Sequence, residues 1–164
     1  EASDDGEAGP DAPALSVGAS ERQEEGEMTT RVLLPDRELD ALAAEKVMGW
    51  KVVDTGEFRP RQFFRVVNDK GEPLTLSHYS AERAKERAYP SFTESLDAAL
   101  LLVEALRDKG YGWTLARPVG GLFVSLFYAD HKGHDFRDII APRAITCAAL
   151  LAIDVSPYAG EETL

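Results

Sequence analysis

Asp130, His131, His134 and Asp135 stand close together in the stretch DHKGHD. Imidazole and carboxylate groups suit divalent metals, and His-x-x-His supplies two of them at short spacing. The pattern specifies no third ligand, and Lys132-Gly133 reads as a turn. The stretch from 130 to 141 is therefore expected to be a loop with incidental histidines, and no metal site is assigned. Cys147 is the one cysteine. It lies in an Ala-rich helical pattern with no His placed to assist it, so it reads as a buried structural thiol. The sequence has no Gly-x-Ser-x-Gly, no phosphate-binding Gly-rich loop and no His-Glu-x-x-His. RPVGG at 117–121 reads as a turn. The carboxylates Asp36 and Asp40 are expected on an exposed helix face. No catalytic set emerges, and the chain is read as non-enzymatic and without a cofactor.

One segment does have a physical reason to bind something. A helix is expected to start near residue 93, and its first N–H groups lack intrahelical partners. Such groups attract anions. The hydroxyls of Ser91, Thr93 and Ser95 surround them, and Arg83 or Arg87 could reach the same point. These five residues are the candidate ligand-binding set, for a small anion or a nucleotide. The alternative is plain capping by Ser91 or Thr93, with Arg83, Lys85 and Arg87 as a solvated face.

The elements that would position these groups follow from periodicity. DRELDALAAEKVM (36–48) carries Leu39, Leu42, Ala43 and Val47 at helical spacing, with Asp36 as N-cap and Gly49 as the helix-ending glycine. Trp50 then opens a strand and is expected to staple helix to sheet. RQFFRVVNDKGEPLTL (61–76) reads as a hairpin around NDKG. Residues 77–88 read as a loop or short exposed helix. In SFTESLDAALLLVEALRDKG the stripe Leu96, Ala99, Leu100, Val103 and Leu106 marks a second helix. YGWTLA (111–116) and GLFVSLFYA (121–129) form a second hairpin. In its second strand Phe123, Ser125 and Phe127 share one face, and Leu122, Val124, Leu126 and Tyr128 share the other. PRAITCAALLAID (142–154) is the last helix, with Pro142 in its first turn. The expected fold is α+β, a mostly antiparallel sheet packed with three helices as a layered α-β-α sandwich. The expected division is an acidic leader at 1–30, the folded body at 31–155 and a frayed tail at 156–164.

Charge supports that division. Residues 1–27 hold nine acids and one base, −8 of the net −11 over 164 residues, which leaves −3 for the rest. They contain no Ile, Phe, Tyr or Trp, a composition that favours disorder. QEEGEM (23–28) can be encoded with AGGAGG, a ribosome-binding sequence, shortly before an ATG. Met28 is thus an expected start, with an ordinary acidic tail as the alternative. A near-neutral body gives no electrostatic footprint for nucleic acid. The longest apolar run, AALLLV at 98–103, falls short of a membrane span of about 20 residues.

Three stretches together are similar to a known family. LDALAAEKVMGWKV (39–52), the Pro-Ser-Phe-Thr segment at 90–93 leading into SLDAALLLVEAL, and APRAITCAALLAI (141–153) resemble the phage α-β-α (ABA) sandwich domain. The resemblance spans about 37–154. Val-Met-Gly-Trp is its most specific part; Phe92-Thr93-Glu94 stands where the family pattern has Tyr-Ser-Thr. The resemblance implies a phage or prophage protein and no established reaction. The expected function is a binding module in the host cytoplasm that sequesters a small anionic ligand or a protein partner. The alternative is a structural or assembly protein, such as a homo-oligomer.

Overall fold

The computed structural model describes residues 31–56 and 60–160. The expectations for residues 1–30 and 161–164, including Met28 as a start, lie outside the described residues.

Helix α1, Asp36–Leu42, has Pro35 rather than Asp36 as its N-cap. The Pro35 carbonyl accepts from the N–H of Glu38 at 2.9 Å and of Leu39 at 3.0 Å. Asp36 and Glu38 then occupy the first turn, where carboxylates suit the helix dipole. The helix widens into a π turn at Ala43–Val47, with the Met48 N–H donating to the Ala43 carbonyl at 3.1 Å. Gly49 (φ 73°) ends it as expected, and a Cβ there would come within 3.2 Å of Asp69. Lys109 Nζ donates to the Val47 carbonyl at 3.2 Å, closing the helix end from a distant element.

Strand β1, Lys51–Asp54, pairs antiparallel with β2, Phe64–Val67. The hairpin expected over 61–76 is only half present. Its turn forms, since Asn68 Oδ1 accepts the N–H of Lys70 at 3.0 Å and of Glu72 at 2.8 Å. Its return limb makes only isolated bridges, Val67 with Pro73 and Phe64 with His78. Pro73 has no N–H to continue a ladder. Residues 77–88 resolve into helix α2, Ala81–Ala88, capped by Ser80 Oγ on the Arg83 N–H at 3.1 Å.

Helix α3, Leu96–Asp108, starts later than expected, with Ser95 as N-cap in place of Ser91 or Thr93. Residues 91–94 make a separate turn closed by the Ser95 N–H on the Ser91 carbonyl at 2.9 Å. The buried stripe is Ala98, Ala99, Leu102, Val103 and Leu106, while Leu96 and Leu100 are exposed. The run AALLLV is apolar all round, so two stripes fit its spacing. The one chosen puts small Ala98 and Ala99 inward.

Strands β3, Gly112–Ala116, β4, Phe123–Ala129, and β5, Lys132–Asp138, form an antiparallel sheet in that order. β5 corrects the loop expected at 130–141. The tight turn before it uses Asp130 (φ 48°) and His131 (φ 66°), both left-handed without glycine. The strand is polar, with a Gly and two Asp, and so lacks β propensity. Its alternation is nevertheless clear: His134, Phe136 and Asp138 turn inward, and Asp135 and Arg137 outward. Buried Ser125 on β4 accepts from Trp113 Nε1 at 3.0 Å. Tyr128 pairs with Gly112 on one side and Gly133 on the other. Its ring lies over Gly112, where a Cβ would come within 2.2 Å of it.

Helix α4, Ala141–Ala152, runs through the centre with residues Ala144 to Leu150 all buried. Ala43, Ala44 and Val47 of the π turn, the inner face of α3 and the inner side chains of the three-stranded sheet join it in one core. The tail expected to fray from 156 is instead held as far as 160. Leu34 N–H donates to the Pro157 carbonyl at 2.9 Å, and Ala159 N–H to the Val32 carbonyl at 2.8 Å. Val155 and Pro157 are buried. The α+β class stands; among the described residues there are four α-helices where the sequence suggested three, and the strands divide between two antiparallel sheets.

Candidate functional site

One candidate ligand residue, Ser91, borders a cleft between α1 and α2 that leads down to the turn before α3. Its volume is about 340 Å³. Arg37, Glu38 and Asp40 line one wall, and Glu82, Lys85 and Glu86 the other, with Tyr89 and Ser91 at the end. Helical spacing puts each set on one face. Of the five expected residues only Ser91 lines the cleft; Arg83 and Arg87 are exposed and do not. Ser95 Oγ is engaged as the cap of α3, on the Ala98 N–H at 3.3 Å. Thr93 is buried.

The anion at this point belongs to the protein. Asp40 Oδ1 accepts the Thr93 N–H at 2.8 Å. Asp40 was expected on an exposed face; it is instead half-buried, because α1 lies against the 91–94 turn. Burial raises its carboxyl above the ordinary range, the Thr93 N–H pulls it back down, and Asp36 and Glu94 raise it further. The folded chain therefore holds this proton more tightly than the unfolded chain. That favours folding at low pH, and the advantage is lost as pH climbs above the unperturbed value of 3.8. Asp40→Asn should flatten this part of the stability–pH profile, since its amide oxygen still accepts from Thr93. Asp40→Ala should cost about 1–2 kcal/mol by stranding that N–H. Urea unfolding at several pH values separates the two.

Both cations of the cleft are paired. Arg37 bonds Glu86 across the opening. Lys85 Nζ meets Glu45 at 2.9 Å, and the Tyr89 hydroxyl donates to the same carboxylate at 3.2 Å. Burial, then Glu45, pushes the Tyr89 hydroxyl upward, so it stays a donor. Glu38, Asp40 and Glu82 give the cleft its net negative character. The sequence signal for this site was the 3–4 spacing of charges along 37–40 and 82–86, which reads equally well as two solvated faces.

A larger groove, of about 760 Å³, runs beside Gly49, between the Asn68–Asp69 turn and α3. Trp50 lines it while also packing on the core, its ring centroid 6.3 Å from those of Tyr89 and Phe92. Trp50 thus has the core-packing role expected of it, although the rings it meets belong to the end of α2 and the turn before α3, and the residue is only partly buried. The DHKGHD side chains diverge: His131 is in the tight turn, His134 faces inward and Asp135 outward. Among the described residues no group of three or more His, Cys, Asp or Glu could hold a metal ion. Cys147 is buried, and burial pushes its thiol up to about 12. Among the described residues no helix is long and apolar enough to cross a membrane.

No family model matches the chain, and no curated protein matches it. Among solved structures, a phage protein from Bacillus cereus matches with a TM-score of 0.51 at 16% sequence identity. The match covers 75% of this chain and 91% of that one. The two share a fold. At this identity the likeness is one of architecture alone.

Proposed function

We propose that this chain is a phage protein of the α-β-α sandwich kind that works in the host cytoplasm by stoichiometric binding rather than by catalysis. The phage setting is supported by the shared fold with the Bacillus cereus phage protein and by the Val-Met-Gly-Trp segment. The observation that carries the binding reading is the half-buried carboxylate of Asp40 in a polar cleft. A concave pocket with a few convergent polar groups is the usual form of a ligand site. The ligand it fits is a small cation, an amine or guanidinium group, rather than the anion suggested by the helix start. Asp40 already satisfies the N–H an anion would need, and Glu38 and Glu82 would repel one.

Calorimetric titration with spermidine, agmatine and inorganic phosphate tests this. Binding of an amine is expected, weakening as pH falls and Asp40 takes its proton, and weakening about tenfold in Asp40→Asn. Binding of phosphate without binding of either amine would overturn the reading.

A further inference from the structure

Among the described residues, the three-stranded sheet has one face covered and one open. Trp113, Leu115, Phe127 and Phe136 take its inner face into the core. The outer face carries an apolar row along the central strand: Leu122, Val124, Leu126 and Tyr128. Leu122 and Tyr128 are 40% and 45% exposed. The row is built flat. Tyr128 lies down over Gly112, and Leu126 Cδ1 would meet a Cβ on Gly133 at 3.1 Å. Glycines on both flanking strands thus let large side chains spread across the sheet instead of standing up from it. A flat apolar face of this kind suits packing on another sheet about 10 Å away.

The register fits a second copy of the same sheet. Ser125 pairs with Phe136, Leu126 with Asp135 and Val124 with Arg137. Asp135 and Arg137 both point outward, an ion pair at 3.8 Å on the rim of the row. The apolar row and the charge pair are therefore each symmetric about the same level, that of Ser125 and Phe136. A two-fold axis at that level, lying between two facing sheets and perpendicular to the strands, carries each feature onto its complement. Val124 meets Leu126 of the partner subunit, Leu122 meets Tyr128 of the partner subunit, and Asp135 meets Arg137 of the partner subunit. Self-complementarity of this kind is what a two-fold interface requires.

We propose that the outer face of the β3-β4-β5 sheet is a self-association surface, closed by a second copy of this chain in that two-fold arrangement. Three strands, β3 of five residues and β4 and β5 of seven, give a footprint of at most roughly 15 Å by 23 Å. That is small for a specific interface, so the dimer is weak and forms at high concentration. The charge pairs fix orientation, and salt weakens them.

Sedimentation velocity of the full chain over a concentration series is the test, with thermal melts to confirm folding of each variant. The expected result is a monomer–dimer equilibrium that shifts toward monomer with added salt. Asp135→Arg sets like charges opposite each other twice and should weaken association at least about tenfold. Adding Arg137→Asp to it exchanges the two charges and restores every opposition, so the double variant should return to within about threefold of the parent. Leu126→Glu should abolish association by burying a charge; the charge exchange remains decisive should that variant fail to fold. A monomer at every concentration would overturn the proposal. So would a dimer that Asp135→Arg leaves intact, or a double variant as weak as the single one.

Discussion

Asp138→Ala should destabilise the fold by about 3–5 kcal/mol, the range for breaking a buried ion pair from one side. Asp138 is 8% exposed and meets Arg143 through two parallel bonds, Nε to Oδ2 at 2.7 Å and the Nη2 group to Oδ1 at 2.9 Å. Such bidentate pairs are the strong ones. Oδ1 also accepts the Ile140 N–H at 2.9 Å, just before α4 begins. Arg143 reaches on toward Asp36 of α1 at 3.6 Å. One carboxylate thus joins the last strand, the central helix and the first helix. Truncation takes the bidentate partner from a partly buried guanidinium, leaving it the longer contact with Asp36, and strands the Ile140 amide. Asp138→Asn keeps an acceptor for Ile140 and should cost less than the alanine variant. Equilibrium unfolding in urea reads both; a loss below about 1 kcal/mol for Asp138→Ala would reduce the pair to a surface contact.

Phe92→Ala should cost a similar amount, about 3–5 kcal/mol, through the cavity it leaves. Phe92 is completely buried, its ring touches that of Trp50, and its carbonyl accepts the Thr146 hydroxyl at 3.0 Å. It directly precedes Thr93, whose N–H is held by Asp40. The substitution should therefore loosen the cleft as well as the core. Amine binding and stability are expected to fall together, whereas Phe92→Leu should keep most of both. Trp50→Ala should fall below Phe92→Ala because Trp50 is only partly buried.

Local signals carried much of the architecture. Gly49, the Asn68 turn, the α3 and α4 segments and the β3-β4 hairpin all declare themselves through residue type at fixed offsets. Failure came where tertiary context overrode local preference. β5 is polar and opens from a turn without glycine, so only its pairing with β4 makes it a strand. The α3 stripe was ambiguous because Leu fills every side of AALLLV, and packing chose the face with the two alanines. The π turn has no sequence mark. At the cleft, Ser91 was found, while Asp40, Glu82, Lys85 and Tyr89 were not. Their importance comes from α1 meeting α2 across a gap in sequence of some forty residues, which no periodicity encodes. Where the sequence suggested a helix start that attracts an anion, the 91–94 turn lies against α1 and Asp40 already holds the Thr93 N–H.

The bridge between Leu33 and Tyr158 has a kinetic meaning. It joins the two extremes of the described chain, and loop-closure entropy rises with the logarithm of the loop length. Such a contact gains little until the core behind it has formed. It is therefore among the last to close during folding and the first to open afterward. The Leu34 and Ala159 amides, hydrogen-bonded only across this seam, report that opening directly. They should exchange with solvent deuterium well before the amides of α4, through a local gate that leaves the central helix intact.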